Sequence, residues 1–210
     1  MREVMFKVFR FDELSEEAKE KAITNFLENH DEYIWLREIE NSAKAIAKVF
    51  GIQINFEYDG WNRCYANWSV SNCEFCDEEL ELSKARLIAW IVNRFDFKVL
   101  DYNIRCKAMA QSKKGYYRMF RWAFAKNRYS DNMLTGYCDD YCTMEAYKEI
   151  IDSMKKGEHI TLETFFDTLC KHFAKAATNE IDYQNSDEFA IEMIEANDYE
   201  FYEDGDMYIG

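Results

Sequence analysis

The chain has 210 residues, ample for a buried core, and is 48% hydrophobic, 17% aromatic and 31% charged, which excludes a disordered acidic tail. It has no proline and only 7 glycines, which excludes collagen-like, proline-rich and flexible-linker architectures. Forty acidic and 26 basic side chains give a net charge of -14, laid out in three parts: -9 over residues 1–83, +10 over 84–128 and -15 over 129–210.

Met5 to Phe11 mixes aromatic and alternating basic residues, the pattern of a strand. Ser15 is placed to cap the helix that follows, and Glu16 and Glu17 complement the positive end of its dipole. Ala18, Ala22, Ile23, Phe26 and Leu27 share one face of that helix. A second helix is expected over 34–50, with Trp35, Ile39, Ala43, Ile46 and Ala47 inward and Gly51 at its end.

The period then changes from 3.6 to 2. Ile52, Ile54 and Phe56 alternate with Gln53, Asn55 and Glu57, Asp59-Gly60 signals a turn, and Cys64, Ala66, Trp68 and Val70 resume the alternation. That is a hairpin with one apolar face. Ser83 to Phe95 returns to helix, with Leu87, Ile88, Ile91, Val92 and Phe95 as its buried stripe. Residues 96–128 mix strand-like and helix-like stretches around a break at Lys113-Lys114-Gly115. Helices are expected at 143–155, 161–177 and 186–196, and a closing hairpin over 199–208 that turns at Asp204-Gly205. The fold class is therefore α+β, an antiparallel sheet covered by several helices in a single compact domain spanning 1–210.

The longest apolar run, Leu87 to Val92, is far short of the ~20 residues that a membrane span needs. The start, Met1-Arg2-Glu3, lacks the pattern of a signal peptide. Both points, with an odd number of cysteines, 7, lead to the expectation of a cytoplasmic protein with reduced thiols and no membrane partner. Cys73 and Cys76, with Cys138 and Cys142, form the one arrangement that resembles paired zinc ligands. The second pair has the wider spacing, the two pairs lie far apart and neither has a glycine knuckle, so ordinary thiols and no metal or cofactor are expected. The only histidines are His30, His159 and His172, and no phosphate loop, dinucleotide fingerprint or nucleophile elbow is present. The reading is a protein that binds rather than an enzyme.

The opening, Phe9-Arg-Phe-Asp-Glu-Leu-Ser-Glu-Glu-Ala-Lys-Glu-Lys-Ala22, resembles the start of a family of small proteins from phages and other mobile elements. The ending from Ser186 to Gly205, with Ile194-Glu-Ala-Asn-Asp-Tyr-Glu-Phe-Tyr-Glu-Asp-Gly205, is similar to theirs as well. Phe56-Glu-Tyr-Asp-Gly-Trp61 looks like their aromatic hairpin, but Asn62-Arg-Cys-Tyr65 stands where they usually have Gly-Asp-Gly. The likeness covers the two ends well and residues 80–180 poorly. It implies a phage origin and, for a small acidic protein without catalytic residues, inhibition of a host defence nuclease of the anti-CRISPR kind. The partner is then a nuclease such as a CRISPR effector, met in the host cytosol during infection.

Two surfaces are candidates. The first is acidic: Asp139 and Asp140 in one cluster and Glu200, Glu203, Asp204 and Asp206 in the closing hairpin, carboxylates that would meet the cations of a nucleic-acid groove. On one face of a strand such groups recur about every 6.6 Å, near the phosphate spacing. The second is basic: Arg118, Arg121, Lys126 and Arg128 interleave with Tyr116, Tyr117, Phe120, Trp122 and Phe124, so that phosphates would meet cations while bases stack on rings. Two placements of segment 84–128 stay open: against the acidic C-terminal third, or outward. A metal-stabilised structural protein is the third reading.

Overall fold

The structure is a computed structural model and describes residues 7–29, 34–59, 63–70, 77–94 and 140–209. Among these the fold is α+β, with seven helices and two separate two-stranded antiparallel sheets where the sequence reading has one sheet. Packing groups the chain into two compact units, Met1–Ile34 with Asn179–Gly210, and Trp35–Thr178. The division falls inside a helix, which periodicity along the sequence does not reveal.

The first unit joins the two ends of the chain. Strand β1 is Phe9–Arg10, shorter than the expected Met5–Phe11; Met5 and Phe6 lie outside the described residues. The strand stops because Phe11–Glu13 forms a 3-10 turn, in which the Glu13 carboxylate accepts the Arg10 N–H at 2.9 Å. Ser15 caps helix α1 (Glu16–Asn29), its Oγ accepting the Ala18 N–H at 3.3 Å. Ala18, Ala22 and Phe26 are buried along α1, with Ile23 and Leu27 packed at the margin.

The last helix, Asp187–Ala196, is capped by Ser186, whose Oγ accepts the Phe189 N–H at 3.2 Å. It buries Phe189, Ala190 and Ile194 against α1, and the Phe26 and Phe189 rings lie 6.3 Å apart. The final strand, Glu200–Phe201, pairs with β1 in the register Phe9↔Phe201 and Arg10↔Glu200. Phe201 is fully buried, with its ring 6.2 Å from that of Phe11. The closing hairpin is present too: Phe201 bridges Met207, Tyr202 N–H donates to Asp206 O at 2.8 Å, and Gly205 N–H donates to Tyr202 O at 3.0 Å. A two-stranded hairpin is marginal by itself, and β1 supplies the third strand.

The second unit holds α2 (Ile34–Phe50), β2 (Ile52–Tyr58), β3 (Cys64–Val70), α3 (Asp77–Leu80), α4 (Lys84–Arg94), α5 (Asp140–Lys155) and most of α6 (Leu162–Gln184). In chain order the last helix is then α7 and the last strand β4. Along α2 the buried apolar positions are Leu36, Ile39, Ala43, Ile46, Ala47 and Phe50, the spacing of an apolar stripe, with the small polar Ser42 buried among them. Strands β2 and β3 pair from Ile52↔Val70 to Tyr58↔Cys64. Asp59 closes the connection: its N–H donates to Arg63 O at 2.9 Å, and its carboxylate accepts the Arg63 N–H at 2.8 Å.

Ile52 and Ile54 are buried and Phe56, Ala66 and Trp68 half-buried, while Gln53, Asn55, Glu57, Tyr65, Asn67 and Ser69 are exposed. The expected alternation holds from Ile52 to Phe56 and from Cys64 to Trp68, but Val70, expected on the apolar face, is exposed at the end of β3. Leu87, Ile88 and Ile91 of α4 are buried, and the side chains of Trp35, Val92 and Phe95 fall outside the described set. Phe166 on α6 gathers rings from three other elements, lying 5.9 Å from Phe50, 5.0 Å from Trp68 and 6.1 Å from Trp90. Helix α6 runs on past the expected end at 177 because Ala177, Ile181 and Gln184 continue the buried stripe.

Helix α5 starts at Asp140, earlier than the expected 143, and its first turn carries two buried polar residues, Asp140 and Thr143. Among the described residues the Thr143 hydroxyl has no hydrogen-bond partner, and a buried hydroxyl left unbonded costs about 1–3 kcal/mol. Thr143→Val keeps the branching and the helix propensity while it removes the orphan. Urea unfolding is expected to show the variant about 1 kcal/mol more stable. A loss of comparable size would mean that the hydroxyl is bonded in solution.

Candidate functional site

The division into units sorts the charge. Met1–Ile34 and Asn179–Gly210 together carry 5 Lys/Arg against 20 Asp/Glu, net -15, while Trp35–Thr178 carries 21 against 20, net +1. The acidic excess thus resides in the smaller unit, built from both ends of the chain. The described parts of the basic and acidic segments, 84–94 and 140–178, fall in the other unit. Segment 179–210 contributes 11 of those carboxylates and no lysine or arginine.

Periodicity places several of them. On α7 the core takes Phe189, Ala190 and Ile194, so Glu188, Glu192 and Glu195, spaced four and three apart, face outward. Asp198, Glu200 and Glu203 continue the exposed series. Glu192 accepts the Tyr183 hydroxyl, and that bond, followed by burial, pushes the phenol up to about 12. Among the described residues no side-chain hydrogen bond or ion pair involves Glu188, Glu195, Glu200 or Glu203.

Asp204 and Asp206 are used differently. The Lys21 ammonium lies 2.9 Å from Asp204 Oδ2 and 2.8 Å from Asp206 Oδ1. Asn25, one helical turn further along α1, donates to Asp206 Oδ1 at 3.1 Å. Between them Gly205, at φ +87, is buried with its α-carbon pressed on the Ala18 carbonyl. The two carboxylates converge on one ammonium in a turn, so the strand-like spacing of about 6.6 Å does not describe them. They clamp the C-terminal turn to α1. Both carboxylates, expected to meet a partner, are thus tied to α1 within the unit and stay exposed. Lys21 and Asn25 had no signal in the sequence, since their partners lie 183 and 181 positions away.

The clamp has a defined pH range. Lys21 holds the Asp204 carboxyl below its ordinary value, and the Asp206 and Asp204 carboxylates hold the Lys21 ammonium above its own. A depressed carboxylate stabilises above the unfolded value of ~3.9 and loses this as pH falls through its folded value. A raised lysine stabilises below ~10.4 and loses this as pH rises through its folded value. Carboxyl carbon NMR is expected to show Asp204 titrating at lower pH in the native protein than in Lys21→Met. Equal midpoints would remove the clamp.

Asp140 is fully buried at the start of α5, so it cannot offer its carboxylate to a partner. Burial at a helix N-terminus suits a carboxylate because the dipole there is positive, and the adjacent acidic pair in the sequence gives no hint of it. Asp139, and Arg118, Arg121, Lys126 and Arg128 of the basic alternative, lie outside the described residues.

Cys73, Cys76 and Cys138 lie there too, while Cys142 is buried on α5. Burial pushes the Cys64 thiol up to about 11 and the Cys170 thiol up to about 12, away from the thiolate needed for nucleophilic or metal chemistry. Among the described residues no group of three or more His, Cys, Asp or Glu is arranged to hold a metal. No described helix is long and apolar enough to cross a membrane.

His159 is exposed. His172 lies 2.9 Å from Glu149, whose other oxygen accepts from Lys171 at 3.2 Å. These bonds, His172 first, hold the Glu149 carboxyl below its ordinary range. The cluster ties α5 to α6 and contains no nucleophile beside a base.

Comparison with family models, with curated proteins and with solved structures finds no match to the chain.

Proposed function

We propose that the unit formed by Met1–Ile34 and Asn179–Gly210 is a polyanionic binding module that inhibits a host defence nuclease, in the manner of an anti-CRISPR protein, by covering its nucleic-acid groove. The observation that carries the reading is the concentration of net charge -15 in that unit. A groove lined with Lys and Arg attracts such a surface over long range, with fast and salt-sensitive association. Within the unit, Glu188, Glu192 and Glu195 of α7, Glu200 of β4 and Glu203 just after it are exposed. Asp204 and Asp206 shape the module instead, through Lys21.

The test uses purified CRISPR effector nucleases cleaving duplex DNA with this protein titrated in, at two salt concentrations. Inhibition of at least one effector is expected, weaker at the higher salt because exposed charge pairs are screened. Glu188→Gln, Glu195→Gln, Glu200→Gln and Glu203→Gln combined should abolish most of it and leave the circular dichroism spectrum unchanged. Inhibition that ignores both salt and the fourfold substitution would place the interface elsewhere. Absence of inhibition across the panel, with submicromolar binding of single-stranded DNA lost on Arg118→Glu with Arg121→Glu, would favour the basic segment.

A further inference from the structure

We draw no further inference here: the strongest candidate, the buried polar row Asp140, Thr143 and Tyr147 on one face of α5, carries nothing because no described residue opposite it shows what chemistry its orphaned Thr143 hydroxyl would meet.

Discussion

Gly205→Ala is expected to destabilise the protein by about 2–5 kcal/mol, the sum of about 1–2 for a left-handed non-glycine residue and about 1–3 for overpacking. Gly205 sits at φ +87, and a β-carbon there would stand 2.2 Å from the Ala18 carbonyl oxygen, which is helix backbone and cannot swing aside. Gly157 separates the two causes. It has φ +92 with nothing within 4 Å of its would-be β-carbon, so Gly157→Ala should cost only the conformational part, about 1–2 kcal/mol.

Hydrogen exchange locates the damage. In Gly205→Ala the Tyr202, Gly205 and Tyr208 amides, bonded to Asp206 O, Tyr202 O and Glu200 O respectively, should lose protection first. Equal losses for the two alanine variants would show that the turn does not press on α1. The result also bears on function, because the same turn presents Glu203 and lies next to Glu200.

Phe166→Ala should cost about 3–5 kcal/mol, the range for deleting a buried ring and leaving a cavity. Phe166 is fully buried and its ring meets Phe50 of α2, Trp68 of β3, Trp90 of α4 and Phe165 beside it. The hairpin depends on this contact most, since two strands alone are marginal. Trp68 is anchored from a second side by its indole N–H, which donates to Asp167 at 2.8 Å. Exchange in Phe166→Ala should therefore accelerate across β2 and β3 before it does along α6. Tyr65→Ala, at a side chain 54% exposed on the opposite face of the same hairpin, should stay within about 0.5 kcal/mol of the parent. A loss for Tyr65→Ala as large as for Phe166→Ala would mean that the two faces are misassigned.

Local pattern determined a good deal of this protein. The helix caps at Ser15 and Ser186 act on the amides three residues ahead. The stripes of α1, α2 and α4 and the alternation of β2 and β3 follow from which neighbours share a face, so they are legible within a few residues. The total charge and its three-part layout are equally properties of the sequence. The grouping of that charge is not. Only tertiary packing joins the described residues of 1–34 to those of 179–210. It alone pairs β1 with β4, presses Gly205 on Ala18 and gives Lys21 two carboxylates from the far end of the chain. It also buries Asp140 while leaving Glu188 and Glu195 exposed, though all three are acidic residues in helices. A carboxylate's solvation depends on what packs over it. Periodicity reports which residues share a face but not which distant segment covers that face, so the use of each charge was decided by the fold.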